Sequence, residues 1–309
     1  MASRGSSGLN LWARRGLLRG LALVCTLFWA GLAAAKGPLF LWEVLDSGGA
    51  LRGYLYGTIH VCDAACFPLP REVGQAFLAA DSLALELDPK DPALGPALAR
   101  AGMLPEGQRL DERLPADLRP RLDAVARQLG LAPAMLQRMQ PWMASTLLTL
   151  RAAGSAGFVT EQGVDLWLAR AAHERGLPLY ALETVERQLE ALAAGGDQAQ
   201  AAGVAEVVDM VERGDAREYF TELLEAWRSG DVERVDSLLR DEGASEQMAP
   251  MLAEVLDARN REMADAIKAR LVPGTRPFVA VGAGHFGQKS GLLAELGARG
   301  FRTKQVVGE

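Results

Sequence analysis

Hydrophobic positions in this chain follow two rhythms: short unbroken runs that end on polar residues, and long stretches with helical spacing. The runs at 54–60, 83–88, 179–183 and 278–285 are continuous enough to predict buried strands. A loosely alternating run at 39–45, then Ser47-Gly48-Gly49, predicts a hairpin into residues 51–59. A helix is expected over 71–80. Helical spacing governs residues 90–160, where prolines break it, and the acidic stretch 185–270. A helix starting at Thr160 is expected to close at Gly176, and a last long helix to cover 246–271. At Gly214-Asp215 and Gly230-Asp231, glycine suits the end of one helix and aspartate the N-cap of the next. Residues 277–307 read as strand, turn, helix, strand. Strands at both ends and once in the middle predict a single α/β (α+β) domain over 36–309. Its sheet would draw strands from distant parts of the chain, with helical insertions at about 90–160 and 185–270.

The polar ends of those runs carry the candidate chemistry. Tyr54-Leu55-Tyr56-Gly57-Thr58-Ile59-His60 and Phe278-Val279-Ala280-Val281-Gly282-Ala283-Gly284-His285 each deliver a histidine three residues after a glycine. The chain has three histidines, and two of them share this context 225 residues apart. The runs near Glu86 and Glu183 end on carboxylates. In open α/β sheets ligands collect at the carboxyl ends of strands, so these ends are expected to converge. His60, His285 and Glu86 would suffice to hold a divalent transition metal with positions open to water and substrate. Such a metal lowers the pKa of bound water and polarises a carbonyl, as amide or ester hydrolysis requires. The glycine before each histidine supplies either positive φ or close backbone approach. Structural roles stay open for both histidines, as do exposed helix-start roles for Glu86 and Glu183. His173, near a helix end, reads as structural. Gly282-Ala283-Gly284-His285-Phe286-Gly287 matches G-x-G-x-x-G, but 22 residues follow it and the next strand lacks an acidic ribose partner. Both departures argue against dinucleotide binding.

The N-terminus adds a destination. Arg4, Arg14, Arg15 and Arg19 precede an apolar stretch and Ala33-Ala34-Ala35, so residues 1–35 are expected to be a signal peptide, leaving no stable membrane span once removed. Arg14-Arg15-Gly16-Leu17-Leu18-Arg19 approximates a twin-arginine signal, and a bacterial periplasmic or secreted location follows. Without the leader, 29 basic residues face 39 acidic ones, a net charge of about −10. No basic run remains to follow phosphates, which excludes nucleic acid as a partner. Cys62 and Cys66, in an oxidising compartment, are expected to form a small disulfide; a thiolate metal site with His60 is disfavoured because exported thiol pairs oxidise.

Taken together these motifs resemble the TraB/PrgY/GumN family, which includes the animal TIKI proteins. The agreement includes both GxxH motifs, Pro68-Leu69-Pro70, Leu85-Glu86-Leu87-Asp88 and Gly163 with Asp165. It continues through Leu182-Glu183-Thr184, Gln188, Arg259-Asn260 and Gly287 with Gly291. The bacterial exported GumN-like branch is the nearest match. The resemblance implies a fold similar to erythromycin esterase and ChaN-like proteins, a mixed β-sheet wrapped by helices. It also implies a metal-dependent peptidase, with Mn2+ or Co2+ favoured and Zn2+ possible, acting on a peptide or protein. By position, His60, His285 and Glu86 would hold the metal, and Glu86, Glu183 and Arg259 would be catalytic. The alternative is a non-catalytic periplasmic binding or regulatory protein holding a peptide, haem or metal in the same pocket.

Overall fold

The computed structural model describes residues 37–240, 246–287 and 290–308; the expected leader lies outside them. Among the described residues, six strands form one mixed sheet in the order β4-β3-β5-β2-β1-β6. They are β1 (Gly37–Leu45), β2 (Leu51–Thr58), β3 (Ser82–Leu85), β4 (Leu179–Ala181), β5 (Pro277–Gly282) and β6 (Arg302–Gly308). β2, β5, β3 and β4 run parallel, while β1 pairs antiparallel with both β2 and β6. Every residue of β5 is buried, which is why its sequence is an unbroken apolar run rather than an alternating one. β6, at the edge, mixes exposed and half-buried residues.

The expected mixed α+β architecture, a sheet wrapped by helices, is therefore present. The strands at 83–88 and 179–183 end earlier than expected, at Leu85 and Ala181. Their acidic residues stand on loops beyond the last ladder pair, free to turn toward each other. The order β3-β5-β2 is what gathers the site. It sets the turn after β5 between the loops that follow β2 and β3, with Thr58 opposite Gly282 and Leu85 opposite Ala280.

The helices differ from expectation at two informative places. Thr160–Gln162 is a 3-10 turn, and the helix proper is Val164–Arg175. The single helix expected over 246–271 is interrupted by a π-helical stretch, Ala253–Ala258, before the helix Arg259–Lys268. Such widened turns often mark sites where a side chain is re-aimed. Here the next residue is Arg259, whose guanidinium donates back to the Val255 carbonyl at 2.9 Å. Of the two glycine–aspartate breaks, Asp231 caps its helix by accepting from the Arg234 amide at 2.9 Å, whereas Asp215 makes no capping bond.

The main core packs aromatic rings on the sheet, with Phe278 against Tyr56 and Phe77. A second core lies among the helices Leu118–Gln128, Pro141–Ala156 and Gly196–Arg213. A small third cluster centres on Ala97, Trp142, Val185 and Leu189.

Candidate functional site

A cavity of about 610 Å³ opens at the carboxyl ends of β2, β3 and β5, lined by His60, Glu86, Arg259 and His285 among mostly aliphatic side chains. That size lies in the ordinary range for ligand pockets. Glu183 sits just behind Arg259. Of the sequence-derived candidates, all five are gathered here; His173 lies apart, 4.0 Å from Asp88.

Arg259 is the centre of the polar arrangement. Only 3% exposed, it donates through Nε to Glu183 Oε2 at 2.9 Å, and through Nη2 to Glu86 Oε2 at 2.6 Å and to Glu183 Oε1. Gln188 bridges the same two carboxylates, at 3.2 and 3.3 Å. The other oxygen of Glu86 accepts from the Gly282 amide at 2.8 Å. Burial alone would push the Glu86 carboxyl up, but the His285 ring, Arg259, His60 and the Gly282 amide outweigh it and hold it down at about 2. Glu183 shifts the other way: its burial, with the nearby Glu86 charge, overcomes the Arg259 bonds and raises it.

The two histidines have opposite partners. The His285 ring is buried, and its Nδ1 lies 2.7 Å from Asn260 Oδ1. Asn260 spends its amide hydrogens on the Ser290 carbonyl at 2.8 Å, so the hydrogen-bond network assigns the His285 proton to Nδ1. The Nε2 lone pair then faces Glu86 Oε1 at 3.7 Å. Burial, only partly countered by Glu86, lowers His285 to about 4. His60 keeps 61% of its side chain open, with Nδ1 3.3 Å from Asp165 Oδ2. Desolvation opposes its charge, but Asp165 and then Glu86 prevail and raise it to about 9. The glycines before these histidines serve close approach, not positive φ. A Cβ on Gly57 would lie 2.1 Å from the Phe40 ring, and one on Gly282 would lie 3.2 Å from Glu86 Oε1 and 3.3 Å from His60 Nε2.

These shifts give a testable pH dependence. Glu86 and His285 both have folded values below their unfolded ones, so the stability they contribute is lost as pH falls, for His285 between 6.5 and about 4 and for Glu86 below 4.5. Glu183, raised, offsets part of the loss at the acid end. His60, also raised, contributes stability below 6.5 that is lost as pH rises toward 9, with solvent screening reducing its share. Thermal melts across pH 3–10 should therefore peak near pH 6.5. His285→Gln should flatten the limb between 6.5 and 4, and an unchanged limb would contradict the assignment.

The expected metal set, and with it the metallohydrolase built on two GxxH histidines and a glutamate, is corrected. Among the described residues, the group of three or more such side chains whose donor atoms all lie within 4.8 Å of one another is Cys62, Asp63 and Cys66. His60, His285 and Glu86 line one cavity without forming such a cluster. The reason is partner saturation: Glu86 is committed to Arg259, Gln188 and the Gly282 amide, and the buried guanidinium already supplies the local cation. The residues present do not fit a metal shared by these three side chains. Cys62 and Cys66 are joined as a disulfide, as expected from the sequence, so their sulfurs become thiolate ligands only on reduction. Asp63 caps the turn Ala64–Cys66 and pairs with Arg228 at 3.3 Å.

Asp165, Asn260 and Gln188 had no assigned role in the sequence. Their signal was membership of the family motifs, Asp165 with Gly163, Gln188 after Leu182-Glu183-Thr184, and Asn260 directly after Arg259.

The sequence profile of the TraB/PrgY/gumN family matches residues 40–305. The chain is 24% identical to YbaP of Escherichia coli strain K12 over 255 residues, covering 82% of this chain and 91% of that protein. It is 34% identical to metalloprotease TIKI2 of Xenopus tropicalis over 132 residues, 37% of this chain and 24% of that protein. It is 26% identical to metalloprotease TIKI2 of Danio rerio over 314 residues, 86% of this chain and 61% of that protein. No solved structure matches. No helix among the described residues is long and apolar enough to cross a membrane.

Proposed function

The chain belongs to the TraB/PrgY/gumN family, and on that premise we propose that the cavity is the active site of an exported hydrolase acting on peptides. The observation that carries this reading is the opposite partnering of two imidazoles on one apolar cavity, His60 against the Asp165 carboxylate and His285 against the Asn260 amide. Environments that separate the charge states of two titratable groups are how a site obtains a base and an acid together. That the TIKI relatives are named metalloproteases supports the choice of peptides as substrate.

Each residue then has a part. His285, neutral, takes a proton on Nε2 from the attacking water as the new C–O bond forms. Glu86 stabilises the imidazolium that results. His60, protonated, gives its Nε2 proton to the departing amine as the C–N bond breaks. Glu183 and Arg259 are positioning residues: they fix Glu86, and the Arg259 donors are taken up by protein acceptors. The metal in the relatives' name has no holder made of His60, His285 and Glu86 in this chain, so no step is routed through it. Residues 1–35 act as the export leader and 36–309 as the working domain, and the Cys62–Cys66 disulfide suits an oxidising compartment.

The test is amine release from a defined peptide mixture, followed by mass spectrometry, with Mn2+, Co2+ or a chelator present in parallel arms. Removing a general base or acid should lower turnover about 100-fold or more, so His285→Gln and His60→Gln should each do so, and Glu86→Gln, which takes the counter-charge from the imidazolium, should lower it as well. Undiminished cleavage by His285→Gln would sink the reading, as would no cleavage in any arm.

A further inference from the structure

The charged row is flanked by two apolar walls that belong to different cores. One is made of Leu87, Leu94, Leu98, Leu189 and Leu192, all members of the small third cluster. Leu94 and Leu98 lie four apart on the helix Leu94–Ala101, and both are only half-buried by the protein. That helix packs on Val185–Leu192, the helix following β4. The other wall is made of Leu223, Trp227, Val235 and Leu239, from the main core. Its helices Ala216–Arg228 and Val232–Arg240 pack on β1 and on the turn after β5. The walls therefore stand toward opposite ends of the strand order, with Glu86, His285 and His60 at the strand ends between them.

A second observation concerns polar atoms. Thr58 Oγ1 and Asp165 Oδ1 are buried without a hydrogen-bond partner, and both residues line this cavity. Thr58 is 1% exposed, so water does not satisfy it from outside. Buried polar atoms in native proteins are nearly always partnered, and an orphan on a cavity wall points to a group the cavity receives. Peptide N–H groups are donors of the kind both oxygens need.

We propose that the cavity selects a peptide segment with a large aliphatic side chain on each side of the bond presented to the charged row. Thr58 Oγ1 and Asp165 Oδ1 receive its backbone amides. The leucine wall takes one side chain and the Trp227–Leu239 wall the other. Charged side chains are rejected because Arg259 pairs with Glu86 and Glu183, and Asp165 with His60, so a newcomer would have to displace an existing partner. The inference deepens the hydrolase reading and rests on it for the bond, while the binding preference is measured separately.

The experiment uses the full chain carrying Glu86→Gln, so that turnover does not consume the probe. Four N-acetylated, C-amidated hexapeptides are titrated by calorimetry, with Leu-Leu, Ser-Ser, Lys-Lys or Glu-Glu at the two central positions. The Leu-Leu peptide should bind at least about tenfold more tightly than the other three. Leu98→Asn and Leu239→Asn, added singly, should each remove most of that advantage without changing the Ser-Ser value. Thr58→Val should weaken Leu-Leu binding without lowering the melting temperature, because it deletes an unsatisfied hydroxyl rather than a working bond. Equal affinities for all four peptides, or preference for a charged pair, would overturn the proposal; an unaffected Thr58→Val would overturn its polar half. Tight Leu-Leu binding with no cleavage by the unsubstituted chain would end the hydrolase reading and leave this one standing. Cleavage of all four at equal rates, with equal affinities, would do the reverse.

Discussion

Replacing Arg259 with methionine is expected to cost about 3–5 kcal/mol of folding stability, read from urea unfolding at pH 7. Methionine keeps much of the buried stem but removes the one cation between Glu86 and Glu183. Two carboxylates would then face each other in a site 97% closed to solvent at Arg259, with only the Gln188 amide to share. The loss should shrink at lower pH as one carboxyl takes a proton, and Glu183, already raised, is the one to do so. Adding Glu183→Gln to Arg259→Met should recover part of the deficit, because it removes the second charge. Arg259→Lys should fall between, since an ammonium keeps the charge but not the planar fork. A cost below about 1 kcal/mol for Arg259→Met would mean that the carboxylates are not buried as charges.

The second large effect is at Trp227. This residue is 4% exposed, packs on Tyr56, and donates its indole N–H to the Gly57 carbonyl at 2.7 Å. Trp227→Ala should destabilise by about 3–5 kcal/mol, combining lost burial with the cavity left behind. Trp227→Phe keeps most of the packing but orphans the carbonyl, for about 1–3 kcal/mol. The two variants separate the packing and hydrogen-bonding shares. Because Gly57 leads directly into Thr58 and His60, amide exchange at residues 57–60 should rise more than at β6 in Trp227→Phe. Uniform acceleration across the sheet would instead indicate a global effect.

The parallel strands were legible in the sequence because each is a continuous apolar run, whereas their ends were not: β3 and β4 stop at Leu85 and Ala181, short of the carboxylates. Phe278 to Gly282 needed no tertiary information to be read. The sheet order was not legible, since nothing local in β5 says that its neighbours are β2 and β3. The polar set was legible by residue type, but its internal pairing was not. Glu86 as a metal ligand and Glu86 as the acceptor for Arg259 and Gly282 are identical in sequence and differ only in which donors arrive. The same holds for Asn260. An asparagine mid-helix is unremarkable by propensity, and its role appears only when the π-helical stretch before Arg259 turns it toward His285. The disulfide was legible because two cysteines four apart, with an oxidising compartment expected, bear on it directly.

The insertion of β5 between β3 and β2 has a temporal consequence. A ribosome makes β2 and β3 early, yet the strand that joins them is about 220 residues downstream of β2. Until that strand arrives, the two have no parallel partner on their facing edges, and the pocket lacks one wall. A chain cut short between residues 260 and 276 would keep His60, Glu86 and Arg259 but lack β5, the strand that sets their loops side by side. Completion of synthesis thus acts as the licence for the site. A protein built this way stays inert while nascent, and its incomplete copies present open strand edges that quality-control proteases can recognise.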